Sequence, residues 1–242
     1  MMDIVTKRDY WTWLDAGLVK PSLNTIKNVQ DAFILSRLAS QQGLRVLEIG
    51  GGDSRVLRTL ADRHECWMLD KLEGVGEGPR EVHLPPSVRF VKANAGEFSA
   101  DLPEGYFDCV FSISVIEHVT LDLREAFFAD CARVMKPGAV MLHAVDHYIV
   151  EKDWASSDPR LTALVRQSKG KMASLLSFAD RPDLKLRLRQ PPAIDANVAF
   201  SCRYASNPDS QMYAWNKVMP QMLDLRAEAQ SVSIKAEWIK TC

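Results

Sequence analysis

The sequence predicts an α/β fold: a doubly wound, mostly parallel seven-stranded sheet with a C-terminal antiparallel strand pair and helices on both faces. Short apolar runs typical of buried strands alternate with segments whose apolar residues recur at helical spacing. A glycine triplet separates the first apolar run from the helix that follows it. Near the end of the chain, residues 197–205 and 231–240 have strand patterns on either side of a largely helical stretch.

The first strand–helix unit, residues 45–61, organises the rest of the chain. Its apolar run ends at Ile49, and helical spacing begins at Arg55. Three glycines lie between them: Gly50, Gly51 and Gly52. Because glycine has no Cβ, the backbone there can adopt a positive φ and approach a ligand closely, and the next helix points its unpaired N–H groups at the same place. The turn therefore predicts a ligand-binding site; the alternative is an ordinary tight strand–helix turn.

The other elements follow in chain order. Residues 4–20 predict one or two short helices with an aromatic face, and residues 25–42 predict a helix with Asn24 as N-cap and Gly43 as its end. Four further apolar runs predict strands, at 65–70, 88–92, 106–113 and 139–145. A helix is predicted over 121–135, ended by Lys136-Pro137-Gly138, and the glycine- and proline-rich residues 71–87 predict a surface loop.

Composition and charge exclude several classes of protein. A net charge of −1 over 242 residues gives no basic field, which disfavours nucleic acid as a partner. The five cysteines are scattered without a C-x-x-C pair, so we expect reduced thiols, no disulfide framework and no metal site. The N-terminus lacks the apolar core of a signal peptide, and no apolar run approaches the length of a membrane span. We therefore expect a cytoplasmic protein with no membrane partner.

Two cofactor classes bind at such a glycine turn. Dinucleotide-binding proteins use G-x-G-x-x-G, and Arg55 at the position of the third glycine argues against an NAD-dependent oxidoreductase. The stretch instead resembles motif I of class I S-adenosylmethionine-dependent methyltransferases, (V/I)L(E/D)(I/V)GxGxG; Glu48, Gly50 and Gly52 match it, and Ser54 replaces the last glycine. The resemblance implies that S-adenosylmethionine is the cofactor and that Glu48 and the three glycines lie by its methionine part.

Two further stretches resemble the same family. Phe107-Asp108 begins a predicted strand that runs through Ser112 into Ser114-Val-Ile-Glu-His-Val119, which is similar to the family's S-x-x-(L/I)-x-H-(V/I). Arg133-Val-Met-Lys-Pro-Gly138 and the strand after it resemble L-x-P-G-G-x-L, with Ala139 in place of the second glycine. The resemblance covers about residues 25–150 and implies that Ser112 and Ile113 form a wall of the cofactor site.

Polar side chains close the next two predicted strands. Asp70 follows the glycines at roughly the twenty-residue spacing at which a carboxylate accepts both ribose hydroxyls; a helix cap or surface turn is the alternative role. Lys71 beside it is a further cofactor-binding candidate. The resemblance implies that Asn94, in the position of an acidic residue, accepts a bond from the adenine amino group, with the backbone at Ala95 adjoining it.

The candidate catalytic residues follow the predicted strands as well. Asp146 and His147 come directly after the fifth strand, and ligands of open α/β sheets bind beyond the carboxyl ends of the strands. A histidine there can act as a general base near neutral pH. The alternative is that Asp146 caps a turn and His147 lies on the surface. His118 either approaches the site or packs at the start of the following helix.

The three matches in order predict methyl transfer to an oxygen or nitrogen of a small molecule or glycan precursor. The alternative function is a non-catalytic methyltransferase-like scaffold or partner subunit, which the departures at Ser54, Asn94 and Ala139 leave open. We expect residues 1–24 to form a helical lid or cap and residues 25–242 a Rossmann-like methyltransferase domain. A helical insertion near 208–229, rich in methionine and aromatic residues, would cap the substrate site or form a homodimer surface.

Overall fold

The strands and helices follow one another along the chain largely in the predicted order. The computed structural model describes residues 2–20, 26–74, 80–149, 181–186, 198–202 and 230–241, together with 173, 175 and 177. The strands bounded within these residues are β1 (Met2–Ile4), β2 (Arg45–Ile49), β3 (Glu65–Leu69), β4 (Arg89–Val91), β5 (Phe107–Ile113), β6 (Met135–Ile149), β7 (Leu184–Leu186), β8 (Ser201–Cys202) and β9 (Gln230–Lys240). The helices are α1 (Lys7–Asp15), α2 (Ile26–Leu38), α3 (Arg55–Leu60) and α4 (Arg124–Val134).

Seven of these strands cross the sheet in the order β1-β9-β6-β5-β2-β3-β4. Strands β4, β3, β2, β5 and β6 are mutually parallel, and β9 runs antiparallel to β6 and β1. The short strands β7 and β8 also pair with β9 in antiparallel fashion. The prediction of a mostly parallel sheet with antiparallel strands at its C-terminal side is confirmed.

Helices cover both faces of the sheet, and two hydrophobic layers result. Along β6, Met141 and Val145 belong to the layer that contains Phe127 of α4, whereas Leu142 belongs to the layer that contains Phe33 of α2. This alternation follows from the two-residue period of a strand. A sheet buried on both faces explains why the strands appear in the sequence as apolar runs.

The outer edge of β9 is covered by three short strands placed end to end. β8 pairs opposite residues 231–232, β1 opposite 234–236 and β7 opposite 238–240. Strand β1 was not predicted, because the sequence indicated only helices over residues 4–20. A three-residue strand is too short to show a period of two, and its assignment depends on pairing with a segment more than 200 residues away.

Three predicted helix ends are wrong. Helix α2 ends at Leu38 instead of residue 42, before the predicted stop at Gly43. Helix α4 begins at Arg124 instead of residue 121, because Leu121 and Leu123 are exposed and do not join the buried side of the helix. It ends at Val134, and β6 follows at once from Met135, with the register to β5 shifting between Phe107 and Cys109. Asn24 and the predicted helical insertion near 208–229 lie outside the described residues. None of the described helices is long and apolar enough to span a membrane.

Candidate functional site

The parallel strands bring the predicted site residues to one edge of the sheet. Ile49 at the end of β2 pairs with Leu69 on β3 and with Ser112 on β5, and Ile113 pairs with Ala144 on β6. The glycine turn, Asp70 and Ser114 therefore follow neighbouring strands at the same edge. This is the edge at which ligands bind to open α/β sheets. Asp146 and His147 were predicted to come directly after their strand, but β6 continues to Ile149 because it pairs with β9 over this stretch, so both lie within it.

The glycine turn is fixed by hydrogen bonds to β3 and to the residue that follows it. The Gly50 N–H donates to the Leu69 carbonyl at 2.8 Å, and the Gly52 N–H donates to Asp70 Oδ2 at 3.2 Å. Ser54, which replaces the family's last glycine, is the N-cap of α3: its Oγ accepts from the Leu57 N–H at 2.9 Å. This departure from the motif therefore stabilises the start of the helix.

Two of the glycines are required by close packing. Gly50 has φ +67°, and a Cβ built on it would lie 2.6 Å from Val115 Cγ2. A Cβ on Gly51 would lie 2.4 Å from Glu48 Cδ. The turn therefore lies directly against Glu48 on one side and against the loop after β5 on the other.

Glu48 is a buried carboxylate beneath this turn. Its side chain is 2% exposed, and Oε2 has no hydrogen-bond partner among the described residues. Burial raises the pKa of Glu48 to about 8, and the charges of Asp31 and Asp70 raise it further, against a hydrogen bond with Ser54. A buried carboxylate without a full set of partners is costly, so a cationic ligand would be stabilised here.

A cavity of about 260 Å³ opens at this turn. Its wall is formed by the glycine turn and by side chains of α2, α3 and β5, namely Lys27, Asp31, Glu48, Gly50, Gly51, Ser54, Arg55, Val56 and Ile113. Arg55 makes a bidentate ion pair with Asp31, with Nε–Oδ2 at 2.5 Å and Nη2–Oδ1 at 3.0 Å. The arginine that argued against a dinucleotide site therefore joins α3 to α2 across the cavity wall.

Asp70 and Lys71 are both held by their own loops. Asp70 Oδ1 accepts from the Leu72 N–H at 2.8 Å, so the carboxylate caps this turn in addition to bonding Gly52. Its two oxygens have further lone pairs, and the predicted ribose contact stays a prediction. Lys71 Nζ pairs with Glu97 Oε1 at 2.9 Å and with Glu73 Oε1 at 3.2 Å.

Glu97 links Lys71 to the predicted adenine-binding residue. The Asn94 N–H donates to Glu97 Oε2 and Asn94 Nδ2 donates to Glu97 Oε1, both at 3.2 Å. Ala95, next to Asn94, is half-buried against the layer that contains α4. The sequence analysis missed Glu97; the signal that could have found it is its place three residues after Asn94, where a side chain can bond back to the preceding turn.

Ser112 and Ile113 point to opposite sides of β5. Ile113 lines the cavity, whereas Ser112 is fully buried with its Oγ 2.7 Å from His143 Nδ1. The wall predicted from Ser112 and Ile113 is therefore formed on the cavity side by the Ile113 side chain. Asp108 and Lys136 from the other two motif matches pair with each other at 2.5 Å near the amino end of β5, the end opposite the glycine turn.

The three candidate catalytic residues occupy different environments. His147 is buried in β6, so its alternative placement on the surface is wrong, whereas His118 is exposed in the turn after β5. Asp146 and His147 are consecutive in a strand and therefore face opposite layers. Asp146 faces α2, on the cavity side of the sheet. The catalytic roles of all three stay predictions.

A group of polar side chains surrounds Asp146, which we name the Asp146 cluster. Asp146 Oδ1 accepts from Ser114 Oγ at 2.8 Å and from Gln30 Nε2 at 2.7 Å, and Lys27 Nζ lies 3.6 Å from Oδ2. The Asp146 N–H donates to Glu117 Oε1 at 2.9 Å. The members are Lys27, Gln30, Ser114, Glu117 and Asp146. The sequence analysis missed Lys27 and Gln30; polar residues three apart on one side of an apolar helix are the signal that could have found them.

Residues 46–138 match a family model described as a methyltransferase domain. No curated protein matches this sequence. Among solved structures, the chain is similar to the phosphoethanolamine N-methyltransferase 2 of Haemonchus contortus, with a TM-score of 0.53 and 18% identity. That match covers 88% of this chain and 52% of the nematode enzyme, so this chain spans about half of that enzyme's length.

Two other solved structures match over nearly their whole length. A putative sarcosine dimethylglycine methyltransferase from Galdieria sulphuraria has a TM-score of 0.56 at 14% identity, over 96% of this chain and 98% of that one. A putative methyltransferase from Bacillus halodurans has a TM-score of 0.53 at 13% identity, over 88% of this chain and all of that one. At these identities the likeness shows the fold. The family-model match runs from β2, through the glycine turn, to Gly138 in β6.

Proposed function

We propose that this chain is a class I S-adenosylmethionine-dependent methyltransferase that transfers the methyl group to an oxygen or nitrogen of a small molecule or glycan precursor. The match of residues 46–138 to a methyltransferase-domain model and the fold shared with solved methyltransferases support the proposal. Two of the three neighbours named above support a small acceptor, since their names specify phosphoethanolamine and sarcosine or dimethylglycine. A glycan precursor is the wider alternative within the same proposal.

The observation that carries the proposal is the cavity at the glycine turn. Glu48 Oε2 is buried beside it without a partner among the described residues, and the ammonium group of a bound methionine moiety would supply the missing cation. Gly50 and Gly51 leave no room for a side chain on the cavity wall, so the backbone itself would contact the ligand. Asp70 would hold the ribose, and Asn94 with Ala95 the adenine.

When bound, the cofactor supplies a methyl group already activated on a sulfonium ion. What the chain must do is align the acceptor with that methyl group and exclude water from it. Ile113 forms the cavity wall beside the glycine turn, and Asp146 lies on the same side of the sheet. We propose Asp146 as the residue that orients the acceptor and, where the acceptor must lose a proton, accepts it.

The first test is calorimetric binding of S-adenosylmethionine and S-adenosylhomocysteine. We expect both ligands to bind, and Glu48→Gln and Asp70→Asn each to weaken binding at least tenfold because each removes a charge-assisted contact. Glu104→Gln is the matched control, since Glu104 is exposed and its ion-pair contact is with Arg133 at 3.8 Å. No binding by the folded wild-type chain would contradict the proposal. Binding without turnover of any acceptor would favour the scaffold alternative.

A further inference from the structure

We propose that the Asp146 cluster is the acceptor site and that it selects an acceptor whose nucleophile is an amine. The inference rests on the proposed methyl transfer and names the chemical class of its substrate. It is carried by the position of the cluster, by an open oxygen of Asp146 and by a second, buried carboxylate behind it.

The cluster adjoins the cavity at the glycine turn. Lys27 is a wall residue of that cavity together with Glu48 and Ile113, and its Nζ also donates to Ser114 Oγ. Ser114 follows Ile113 directly at the end of β5. A molecule lying against the Asp146 cluster would therefore have its reacting atom next to a cofactor bound at the glycine turn.

Asp146 keeps one carboxylate oxygen available on this side. Oδ1 already accepts two hydrogen bonds, from Ser114 Oγ and Gln30 Nε2. Oδ2 has Lys27 Nζ at 3.6 Å, which is beyond hydrogen-bonding distance, and the side chain is 32% exposed. Oδ2 can therefore accept a hydrogen bond from a ligand that reaches it.

Glu117 places a second negative charge behind Asp146. It is 7% exposed, Oε1 accepts from the Asp146 N–H, and Oε2 has no partner among the described residues. Burial, with the charge of Asp146, raises the pKa of Glu117 to about 7. The neighbouring buried cation, Arg124, donates to the carbonyls of Val119 and Ile116 instead.

The charged side chains of the Asp146 cluster are thus two carboxylates and one ammonium, that of Lys27. Arg124 is a neighbour of Glu117, and on the cavity wall Arg55 and Asp31 are paired with each other. A cationic ligand is attracted by the Asp146 carboxylate and favours the ionised form of Glu117 behind it, whereas a neutral hydroxyl does neither. Ser114 is held at φ +54°, a conformation that a non-glycine residue adopts only under constraint, and its Oγ bonds to Asp146. The cluster is therefore organised around the Asp146 carboxylate.

The chemical step follows from this arrangement. A bound ammonium gives one proton to Asp146 Oδ2 and becomes a neutral amine. The nitrogen lone pair then forms the new bond to the methyl carbon as the carbon–sulfur bond breaks, and that bond's electron pair stays on sulfur. The product is a methylated ammonium and S-adenosylhomocysteine, and Asp146 returns its proton to solvent.

The test compares matched amine and alcohol probes on the chain saturated with S-adenosylhomocysteine. The pairs are ethanolamine with ethylene glycol and benzylamine with benzyl alcohol, each titrated by calorimetry. We expect the amine of at least one pair to bind ten times more tightly than its alcohol. Asp146→Asn should remove that preference. Lys27→Met should raise amine affinity several-fold, because it removes the competing cation. If the cluster had only a structural role, Asp146→Asn and Lys27→Met would not change amine affinity in opposite directions.

Glu104→Gln is again the charge-matched control and should leave the preference unchanged. Equal binding of amine and alcohol, absence of amine binding in both pairs, or a preference that survives Asp146→Asn would overturn the inference. The affinity for S-adenosylhomocysteine is measured first on the same protein. If that ligand binds and the amines do not, the amine site fails while the proposed methyl transfer stands; if it does not bind, both fail.

Discussion

Glu48 shows what a single position in a motif does in this chain. The motif match predicted an acidic residue beside the glycine turn, but a sequence pattern does not say whether its carboxylate is paired. In the structure it is buried, and one oxygen is unpartnered among the described residues. The free energy that it costs to bury the Glu48 carboxylate without ligand therefore depends on how α2, α3 and the turn pack around it.

The stability of the ligand-free chain should fall as pH rises, because of Glu48. Its pKa is about 8 in the folded chain against a usual 4.5, so between these values the folded state binds more protons than the unfolded state. The free energy of unfolding should decrease across this window, by on the order of a few kcal/mol, since one pKa unit corresponds to about 1.4 kcal/mol. Urea denaturation at pH 5.5 and pH 8.5 measures it.

Glu48→Gln should reduce that decrease, whereas Glu104→Gln should keep it. Some of the slope will remain in Glu48→Gln, because the raised pKa of Glu117, about 7, acts in the same direction. Burial lowers the pKa of His143 to about 3, which acts in the opposite direction below about pH 6.5. The comparison between variants therefore carries the test: an equal decrease in the wild type and in Glu48→Gln would show that the Glu48 carboxylate is not desolvated.

At the scale of elements, the turn between β2 and α3 packs against the loop after β5, and Gly50 is the point of contact. Gly50 has nearly the same backbone conformation as Gly43, φ +67° against +69°, but only Gly50 has neighbours within 4 Å of a built Cβ. Alanine substitutions at the two glycines therefore distinguish the destabilisation caused by a positive φ from that caused by steric crowding.

Gly43→Ala should destabilise the fold by about 1–2 kcal/mol through its positive φ alone. Gly50→Ala should cost more, because its methyl group would lie 2.6 Å from Val115 Cγ2, and it should also weaken binding of S-adenosylhomocysteine. Thermal unfolding and calorimetry measure both effects. Adding Val115→Ala to Gly50→Ala should recover part of the difference; equal stability of the two single variants would contradict the crowding.

At the scale of the whole molecule, the N-terminal segment is part of the sheet. Strand β1 covers the middle of the β9 edge, and Lys235 Nζ of β9 pairs with Asp9 of α1 at 2.5 Å. An uncovered edge is open to pairing with another chain. The predicted role of residues 1–24 as a lid stays a prediction, as do the cytoplasmic location and the homodimer surface.

Ile4→Ala and Trp11→Ala should distinguish the N-terminal residues that stabilise the core from those that lie on the surface. Ile4 is 2% exposed in the core, so its truncation should destabilise the chain by about 2–4 kcal/mol. Trp11 is 60% exposed, so its truncation should change the free energy of unfolding by about 0.5 kcal/mol or less. Urea denaturation measures both. A large loss for Trp11→Ala would mean that it is covered by another part of the chain.

Local chemistry explains which features could be predicted. Strands β2, β3, β5 and much of β6 are apolar runs because both faces are buried, and the glycine turn is visible because positive φ favours glycine. Asp70 was placed by its spacing from the glycines. The helix ends were less certain from pattern: Leu121 and Leu123 look like members of an apolar stripe, yet both are exposed.

The sequence by itself determined the order of the parallel strands and their helices, the glycine turn and the polar side chains near the strands' carboxyl ends, because these depend on periodicity and backbone preference within short stretches. Tertiary structure decided which distant side chains meet. Arg55 pairs with Asp31, Asp146 collects partners from α2 and from the loop after β5, and the first residues pair with the last strand. Such contacts depend on packing between segments far apart in the chain, and no local pattern carries that information.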